Sequence, residues 1–441
     1  MSRARLTLRG CAFALLLALA PPAAAADDPP LPEPRDAMRQ WPPIAQVQAA
    51  LAGHPRMAQA LARRQALRAG GDALLAGPNE VALRTIQARR RTDTPGGSAH
   101  EWQVAAERTL RSTAKREADA RLAGDDFATA DRLVDQTRHA LARELLADWL
   151  VWRAALAGVA FADAQAALAA RLAAGVARRL AEGDASSLEA ELAAGEAERE
   201  RAAATLARAR AAGARLALRQ RFPEIDGRTE LDPVPQVPPA GERAGLEAAY
   251  LADHPDVMLA RALASRAASA LARTRAELRP DPSVGAYAGL DRGGAERVLG
   301  LTFSLPIAGA ARDARVREAA AESDAASGQV SALERQLRAD FDVLWSDATL
   351  RAEAAAALEA AARAQSAAAA RVGRAWELGE ASLSDWLQAR RAAAQAGEQA
   401  LGAGVEAASA AARLALELRR LPRMGPREPS ADAAGKASGK P

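Results

Sequence analysis

Residues 141–149 read LARELLADW and residues 337–345 read LRADFDVLW, so two similar stretches stand 196 positions apart (337 − 141). In both, the first, fifth and ninth positions are large and apolar, a spacing that places them on one face of a helix. The same offset brings GDAS at 183–186 onto GEAS at 379–382. We therefore predict two copies of one mainly helical unit, and a repeat of this length decides the architecture.

Breaker residues outline the two copies and their helices. The first copy covers residues 44–222 and the second covers 243–421, with a proline-rich linker at 223–242. A helix is predicted over 44–76, interrupted at His54-Pro55, and its counterpart runs over 243–279. Long helices follow at about 111–181 and 312–378. Each long helix turns at a glycine and runs back, to about residues 221 and 421, so each copy contains a long helical hairpin.

Each copy also has a predicted β-hairpin between its short and long helices. Apolar and small or polar residues alternate over 283–305 around an Asp-Arg-Gly-Gly turn, whereas alternation is imperfect over about 80–110, where four arginines (Arg84 and residues 89–91) add charge. A two-stranded hairpin is not stable alone, so other chains must cover its edges. Strands of eight or nine residues are close to the length that crosses a membrane when tilted. Candidates to face lipid are Leu299, Leu301 and Phe303; the alternative is a patch buried against protein.

Both ends of the chain are predicted to lie outside the repeats. Residues 1–26 have three arginines, a short apolar run and three alanines before Asp27, the pattern of a secretory signal peptide. A proline-rich leader follows at 27–43, and residues 422–441 are predicted to be disordered. Cys11 is the single cysteine and is expected to leave with the signal, which excludes disulfides and thiolate metal sites from the mature chain.

The composition argues against several functional classes. Loss of the three signal arginines lowers the net charge from +4 to +1, and there is no basic block with interleaved aromatics, so nucleic-acid binding is not expected. After the signal we find no apolar run of 18 residues. The four histidines have no ligand spacing, and His54 and His254 precede prolines at helix starts, which favours capping over metal binding. No catalytic motif, cofactor fingerprint or metal cluster emerges, so an enzyme is not predicted.

Three motifs in this order carry a resemblance. They are RPDPSV at 279–284, GLTFSLP at 300–306 and WELGEASLSDWL at 376–387. With the duplication, the mature chain resembles the TolC-like outer membrane efflux protein family over essentially its whole length. The resemblance implies a mainly α fold with a small β part. Long α-helical hairpins would form a periplasmic α-barrel, and two β-hairpins per chain would contribute to a trimeric transmembrane β-barrel.

The same resemblance implies a function and partners. A homotrimer in the outer membrane of a Gram-negative bacterium would be a passive exit channel for efflux or secretion. It would receive substrates from a periplasmic adaptor and an inner-membrane transporter. The alternatives are a periplasmic adaptor, which should carry a lipoyl-like β-domain and usually one helical hairpin, and a structural coiled-coil envelope protein. The short non-helical insertions and the doubled hairpin favour the channel.

The resemblance also points to individual residues. Asp385 stands at the family's acidic position around the periplasmic aperture, and Glu189 is its equivalent in the first copy; the alternative for both is a solvated helix face. Gly183 and Gly379 would form the helical tip turns that meet the adaptor. Three positions near the second tip depart from the family pattern, so its mode of holding the aperture closed does not carry over: Trp376, Ala381 and Gln388.

Overall fold

The computed structural model describes residues 40–91, 97–225, 232–233, 240–307 and 309–419. Within these ranges the chain is mainly α-helical with a small antiparallel sheet, as the sequence predicted. The predicted signal peptide, residues 27–39 of the leader, most of the linker and the whole tail at 422–441 lie outside them. The leader and the linker meet where β1 (Gln40–Trp41) pairs antiparallel with β4 (Asp232–Pro233).

The two copies contain the same elements in the same order. The first copy consists of α1 (Ile44–Gly53), α2 (Pro55–Ala76), β2 (Val81–Arg91), β3 (Ser98–Thr109), α3 (Thr113–Ala181) and α4 (Ser187–Arg221). The second copy consists of α5 (Arg243–Asp253), α6 (Pro255–Ala276), β5 (Ser283–Asp291), β6 (Glu296–Ser304), α7 (Ala310–Glu377) and α8 (Leu383–Glu417). The paired helices α2 and α6 have 22 residues each, and α4 and α8 have 35 each.

The helix predicted over 243–279 is broken at His254, as its counterpart is at His54. His254 has an extended backbone (φ −65°, ψ 127°), because the following proline disfavours the helical conformation before it. Its Nδ1 accepts a hydrogen bond from the backbone N–H of Asp256 at 3.2 Å, and His54 Nδ1 accepts one from Arg56 N–H at 3.1 Å. Both histidines therefore cap the next helix, where proline at the first position costs no hydrogen bond.

Each copy is built around one rod. Helices α3 and α7 have 69 and 68 residues, so each is about 100 Å long. Helices α2 and α4 both run antiparallel to α3. Ion pairs Arg68–Asp131 and Arg208–Asp163 lie on its N-terminal and C-terminal parts. The apolar stripes that revealed the repeat are buried at the middle of each rod, in two separate clusters: Leu141, Leu145 and Trp149, and Leu337, Phe341 and Trp345.

One four-stranded sheet joins the two copies. Its order is β2-β3-β5-β6 and all neighbours are antiparallel. The pairing of β3 with β5 crosses from the first copy to the second, with Val104 opposite Ala288. Within the part of the chain that the structure describes, β2 and β6 each have one neighbour, so the sheet has an open edge on either side.

The rod of the first copy also meets a composition test for membrane helices. An 18-residue window within α3 has a mean hydropathy of 1.5. Alanine is abundant in this helix and raises the mean without forming an unbroken apolar run. A third of the window is buried, and the core helix of a water-exposed protein passes the same test. We therefore draw no membrane span from it.

Candidate functional site

The sheet has one apolar face. Directly opposite residues in antiparallel strands point to the same side, so the register assigns every side chain to a face. One face carries, strand by strand, Val81 and Leu83; Trp102, Val104 and Ala106; Val284, Ala286, Ala288 and Leu290; and Leu299, Leu301 and Phe303. Thr85, Gln87, Arg108 and Arg297 share this face with them. The apolar positions are the more exposed ones: Leu299 is 84%, Leu301 is 87% and Phe303 is 70% exposed. A water-exposed sheet buries its apolar face, so this face requires an apolar environment.

The opposite face is polar and lined with small residues. From the helix end toward the hairpin turns its rows are Ala82-Glu107-Gly285-Thr302, Arg84-Ala105-Tyr287-Gly300 and Ile86-Gln103-Gly289-Val298. Nearer the turns, Ala88 is opposite Glu101 in one hairpin and Asp291 is opposite Glu296 in the other. Glycine is required in the second row because a Cβ at Gly300 would lie 2.5 Å from the Tyr287 ring. A sheet that is apolar on one side and polar on the other suits a wall between lipid and water.

The charged residues of the first hairpin lie either on the polar face or at an end of the sheet. Arg84 and Arg90 are on the polar face, and Arg90 pairs with Glu101 at 2.8 Å. Arg89 and Arg91, at the turn end of β2, and Arg108, at the helix end of β3, are on the same side as the apolar residues. Both hairpin turns lie at that end, since Arg91 is opposite Ser98 and Asp291 is opposite Glu296. The helices therefore all leave the sheet from its other end.

The far ends of the rods are two tight helical turns. Gly183 and Gly379 lie in these turns with φ of 81° and 77°, a conformation that favours glycine. After each turn a capping box starts the return helix. The Ser186 hydroxyl accepts from the Glu189 N–H at 3.2 Å, and a Glu189 carboxylate oxygen accepts from the Ser186 N–H at 2.8 Å.

Asp385 makes the same box with Ser382, with distances of 3.1 and 3.2 Å. Of the two acidic candidates for the aperture, Asp385 is exposed and Glu189 is half-buried. Hydrogen bonds from Ser186 and Ser382 hold the pKa values of Glu189 and Asp385 below their usual values. Both side chains therefore remain charged near pH 7.

Near these tips, the two hairpins of one chain contact each other. The Arg179 guanidinium lies 4.8 Å from the centre of the Trp376 ring, which stacks on Trp386 at 4.7 Å. Two turns further in, Arg391 donates to Glu196 at 2.8 Å. Cation–π contacts and ion pairs thus connect the hairpins where the family pattern was lost at Trp376.

The buried carboxylate of Glu417 lies away from the tips, where the end of α8 meets α3. Glu417 Oε2 accepts from Arg143 Nη2 at 2.8 Å and lies 3.2 Å from His139 Nε2 and 3.4 Å from His254 Nε2. Arg143 Nε donates to the other oxygen at 2.5 Å. Burial opposes ionisation, but the hydrogen bonds from these three side chains hold the pKa of Glu417 well below its usual value.

This cluster brings together three groups that could ligate a metal ion, which the sequence spacing did not reveal. The hydrogen bond from Asp256 N–H to His254 Nδ1, which caps α6, decides whether this cluster can bind a metal ion. Because His254 Nδ1 accepts from Asp256 N–H, the proton of the neutral ring is on Nε2, which lies 3.4 Å from Glu417 Oε2 and 3.0 Å from Arg143 Nη2. A metal on Nε2 would displace that proton and remove the cap, and Arg143 already occupies the carboxylate. We therefore interpret the cluster as a hydrogen-bonded joint between the copies.

Comparison with known proteins identifies the fold of this chain through solved structures, not through sequence relatives. No protein-family model and no curated relative matches the sequence. Several solved structures do. The outer membrane protein VceC from Vibrio cholerae aligns with a TM-score of 0.69 and 16% identity over 86% of this chain and 98% of its own. A membrane protein from Pseudomonas aeruginosa aligns with 0.68 and 20% over 87% and 90%.

The open state of the Neisseria gonorrhoeae MtrE outer membrane channel aligns with a TM-score of 0.65 and 17% identity, over 85% of this chain and 88% of its own. These alignments cover at least 85% of this chain and at least 88% of each neighbour. The chain therefore has the fold of these outer membrane channels, the fold that its resemblance to TolC-like outer membrane efflux proteins predicted.

Proposed function

We propose that this protein is the outer membrane exit channel of a tripartite efflux or secretion system, a passive conduit without catalytic activity. The observation that carries the proposal is the four-stranded sheet, with two open edges and an exposed apolar face, at one end of rods about 100 Å long. In a membrane, unpaired strand edges cost several kcal/mol per backbone group, so the sheet must close into a ring with other copies.

The number of copies follows from the fold likeness. TolC-like channels are trimers, and three chains of four strands make a twelve-stranded barrel. In that barrel β6 of one chain pairs with β2 of the next, the apolar face with Leu299, Leu301 and Phe303 contacts lipid, and the polar face lines the lumen. Both hairpin turns face the outside of the cell, and the helices extend into the periplasm as a tunnel.

The tips of the rods are then the periplasmic opening. Asp385 and Glu189, held ionised by their capping boxes, contribute carboxylates there, and three chains would give a ring that favours cations. The turns at Gly183 and Gly379 are the surface for a periplasmic adaptor, which delivers substrate from an inner-membrane transporter. Leu188 and Leu378 beside these turns are exposed, as a docking surface requires.

An adaptor is the second candidate function. It would require a compact β-domain between its helices. The non-helical insertions of the described residues instead join into one sheet of four strands, apart from the two-residue bridge of β1 with β4. That arrangement supports the channel over the adaptor.

Membrane fractionation and conductance test the proposal together. The protein is expressed with its N-terminal segment in a Gram-negative host, extracted from the outer membrane in detergent, and weighed by native mass spectrometry. We expect a trimer that dissociates on heating and that forms ion-conducting pores in planar bilayers. Recovery as a soluble monomer in the periplasmic fraction would refute the channel.

A further inference from the structure

The joint between the two copies of one chain is held by ion pairs. Helix α3 packs on α6 of the second copy as well as on α2 of its own. Three salt bridges cross the part of the α3–α6 contact nearest the sheet: Lys115–Glu277 at 2.8 Å, Asp119–Arg273 at 2.7 Å and Asp126–Arg266 at 2.5 Å. The Lys115, Asp119 and Asp126 side chains are almost fully buried, and the Glu417 cluster adds a fourth connection at the next level.

The repeat defines a second, equivalent joint that a single chain leaves open. Helix α7 is the counterpart of α3 and packs on α6 and α8 of its own copy. Helix α2 is the counterpart of α6. The same contact would therefore place α7 on α2, and within the described residues the chain makes no comparable α7–α2 contact. Helix α7 follows the edge strand β6 and α2 precedes the edge strand β2, so both helices flank the open edges of the sheet.

The residues of this second joint follow from the offsets of 196 for the rods and 200 (254 − 54) for the short helices. Asp119 and Arg273 correspond to Arg315 and Ala73. The counterparts of Asp126 and Arg266 are Glu322 and Ala66. At the level of the Glu417 cluster, Arg143 and Glu417 correspond to Ala339 and Arg221. All six counterpart positions are exposed in the single chain.

We propose that a second copy of this chain covers that surface, with α7 of one subunit packed on α2 of the next, and that this joint lacks the ion pairs of the in-chain joint. The inference rests on the proposed oligomeric channel and adds the residues of its seam. Each charged position faces an alanine, so the three subunit seams are the weaker joints of the assembly.

Cross-linking locates the seam with a matched internal control. Ser265 and Asp125 are in direct contact across the in-chain joint, at 2.8 Å, and their counterparts are Gln65 and Ala321, both exposed. We replace Cys11, the single cysteine, with serine and then make Gln65→Cys with Ala321→Cys, and separately Asp125→Cys with Ser265→Cys. Both proteins are treated in outer membranes with a short bismaleimide.

The seam pair should give covalent dimers and trimers on denaturing gels, whereas the control pair should close within one chain and migrate as a monomer. Each single-cysteine variant should give neither product. If native mass spectrometry shows a trimer but the seam pair stays monomeric while the control closes, the seam is wrong and the channel proposal stands. If the unmodified protein is not an oligomer, the proposed function fails with it.

Restoring one ion pair tests the weakness of the seam. Ala66→Arg would face Glu322 as Arg266 faces Asp126, and should shift the temperature at which the trimer dissociates upward by a few degrees. Adding Glu322→Gln to that variant should remove the gain, and Ala66→Glu should lower the temperature below that of the unmodified protein. A gain that survives Glu322→Gln, or equal effects of arginine and glutamate at position 66, would overturn the proposal.

Discussion

Replacing Glu417 with glutamine removes the charge of the joint between the copies while keeping its shape. The carboxylate accepts from Arg143 through both oxygens and from two histidines, and its side chain is 8% exposed. Glutamine would leave the half-buried Arg143 facing an amide, with Asp256 at 3.6 Å as its remaining carboxylate partner. The structure therefore predicts a buried cation that has lost most of its compensation.

The magnitude can be bounded from these contacts. Breaking a buried ion pair by removing one partner costs about 3–5 kcal/mol, and Asp256 offsets part of that loss. We expect the free energy of unfolding to fall by about 3 kcal/mol. The matched control is Glu406→Gln on the same helix. Glu406 pairs with Arg351, but both side chains are exposed, so we expect a loss below about 1 kcal/mol.

Chemical denaturation followed by tryptophan fluorescence measures both variants, because Trp149 and Trp152 lie in the core cluster beside the joint. The pH dependence adds a second readout. The folded pKa of Glu417 is depressed from its ordinary 4.5, so its contribution is complete above that pH and is lost as pH falls toward the folded value. The gap between wild type and Glu417→Gln should therefore narrow in acid. A gap at pH 7 no larger than that of Glu406→Gln would refute our account of the joint.

Three further predictions concern the sheet and the tips. Leu301→Arg, on the apolar face, should cost about 2–4 kcal/mol and reduce trimer in the outer membrane, whereas Thr302→Arg on the polar face should insert normally; equal recovery of both would contradict the facial assignment. Asp385→Asn should weaken the cation preference of reconstituted pores in a salt gradient, with Glu380→Gln as the exposed control, and an unchanged reversal potential would discard Asp385 as an aperture residue. Gly379→Ala should destabilise the tip by about 1–2 kcal/mol because φ is 77°, while Gly70→Ala in α2 should be neutral or stabilising; thermal unfolding that ranks them in the opposite order would argue against the turn geometry.

Local patterns made much of this fold predictable. The rods were visible because apolar residues recur at helical spacing over many turns, and the second hairpin because its alternation ends at a proline. Both signals depend on residues close in sequence. The break at His254 has the same His-Pro signal as the break at His54, because proline suits the start of a helix and disfavours a helical conformation at the residue before it.

The contacts between the copies could not be predicted in the same way. The pairing of β3 with β5 joins residues about 180 positions apart, and no local pattern records which strands are neighbours. The Glu417 cluster draws on α3, the start of α6 and the end of α8, so its histidines have no recognisable spacing. The first copy gives no hint either, because Arg221 stands at the position equivalent to Glu417.

The copies differ at the charged positions where they meet, and this difference has a consequence for assembly. If both joints carried the same side chains, the in-chain contact and the contact between subunits would have equal stability. Each chain could then exchange its own second copy for that of a neighbour, as in domain swapping. Buried ion pairs at Asp119, Asp126 and Glu417 make the in-chain joint specific, because misplacing any of them leaves a buried charge unpaired. Alanines at the equivalent positions of α2 leave the other joint to be decided by the open strands β2 and β6. We infer that the chain folds its two copies together first, and that closure of the sheet then selects the subunit partner.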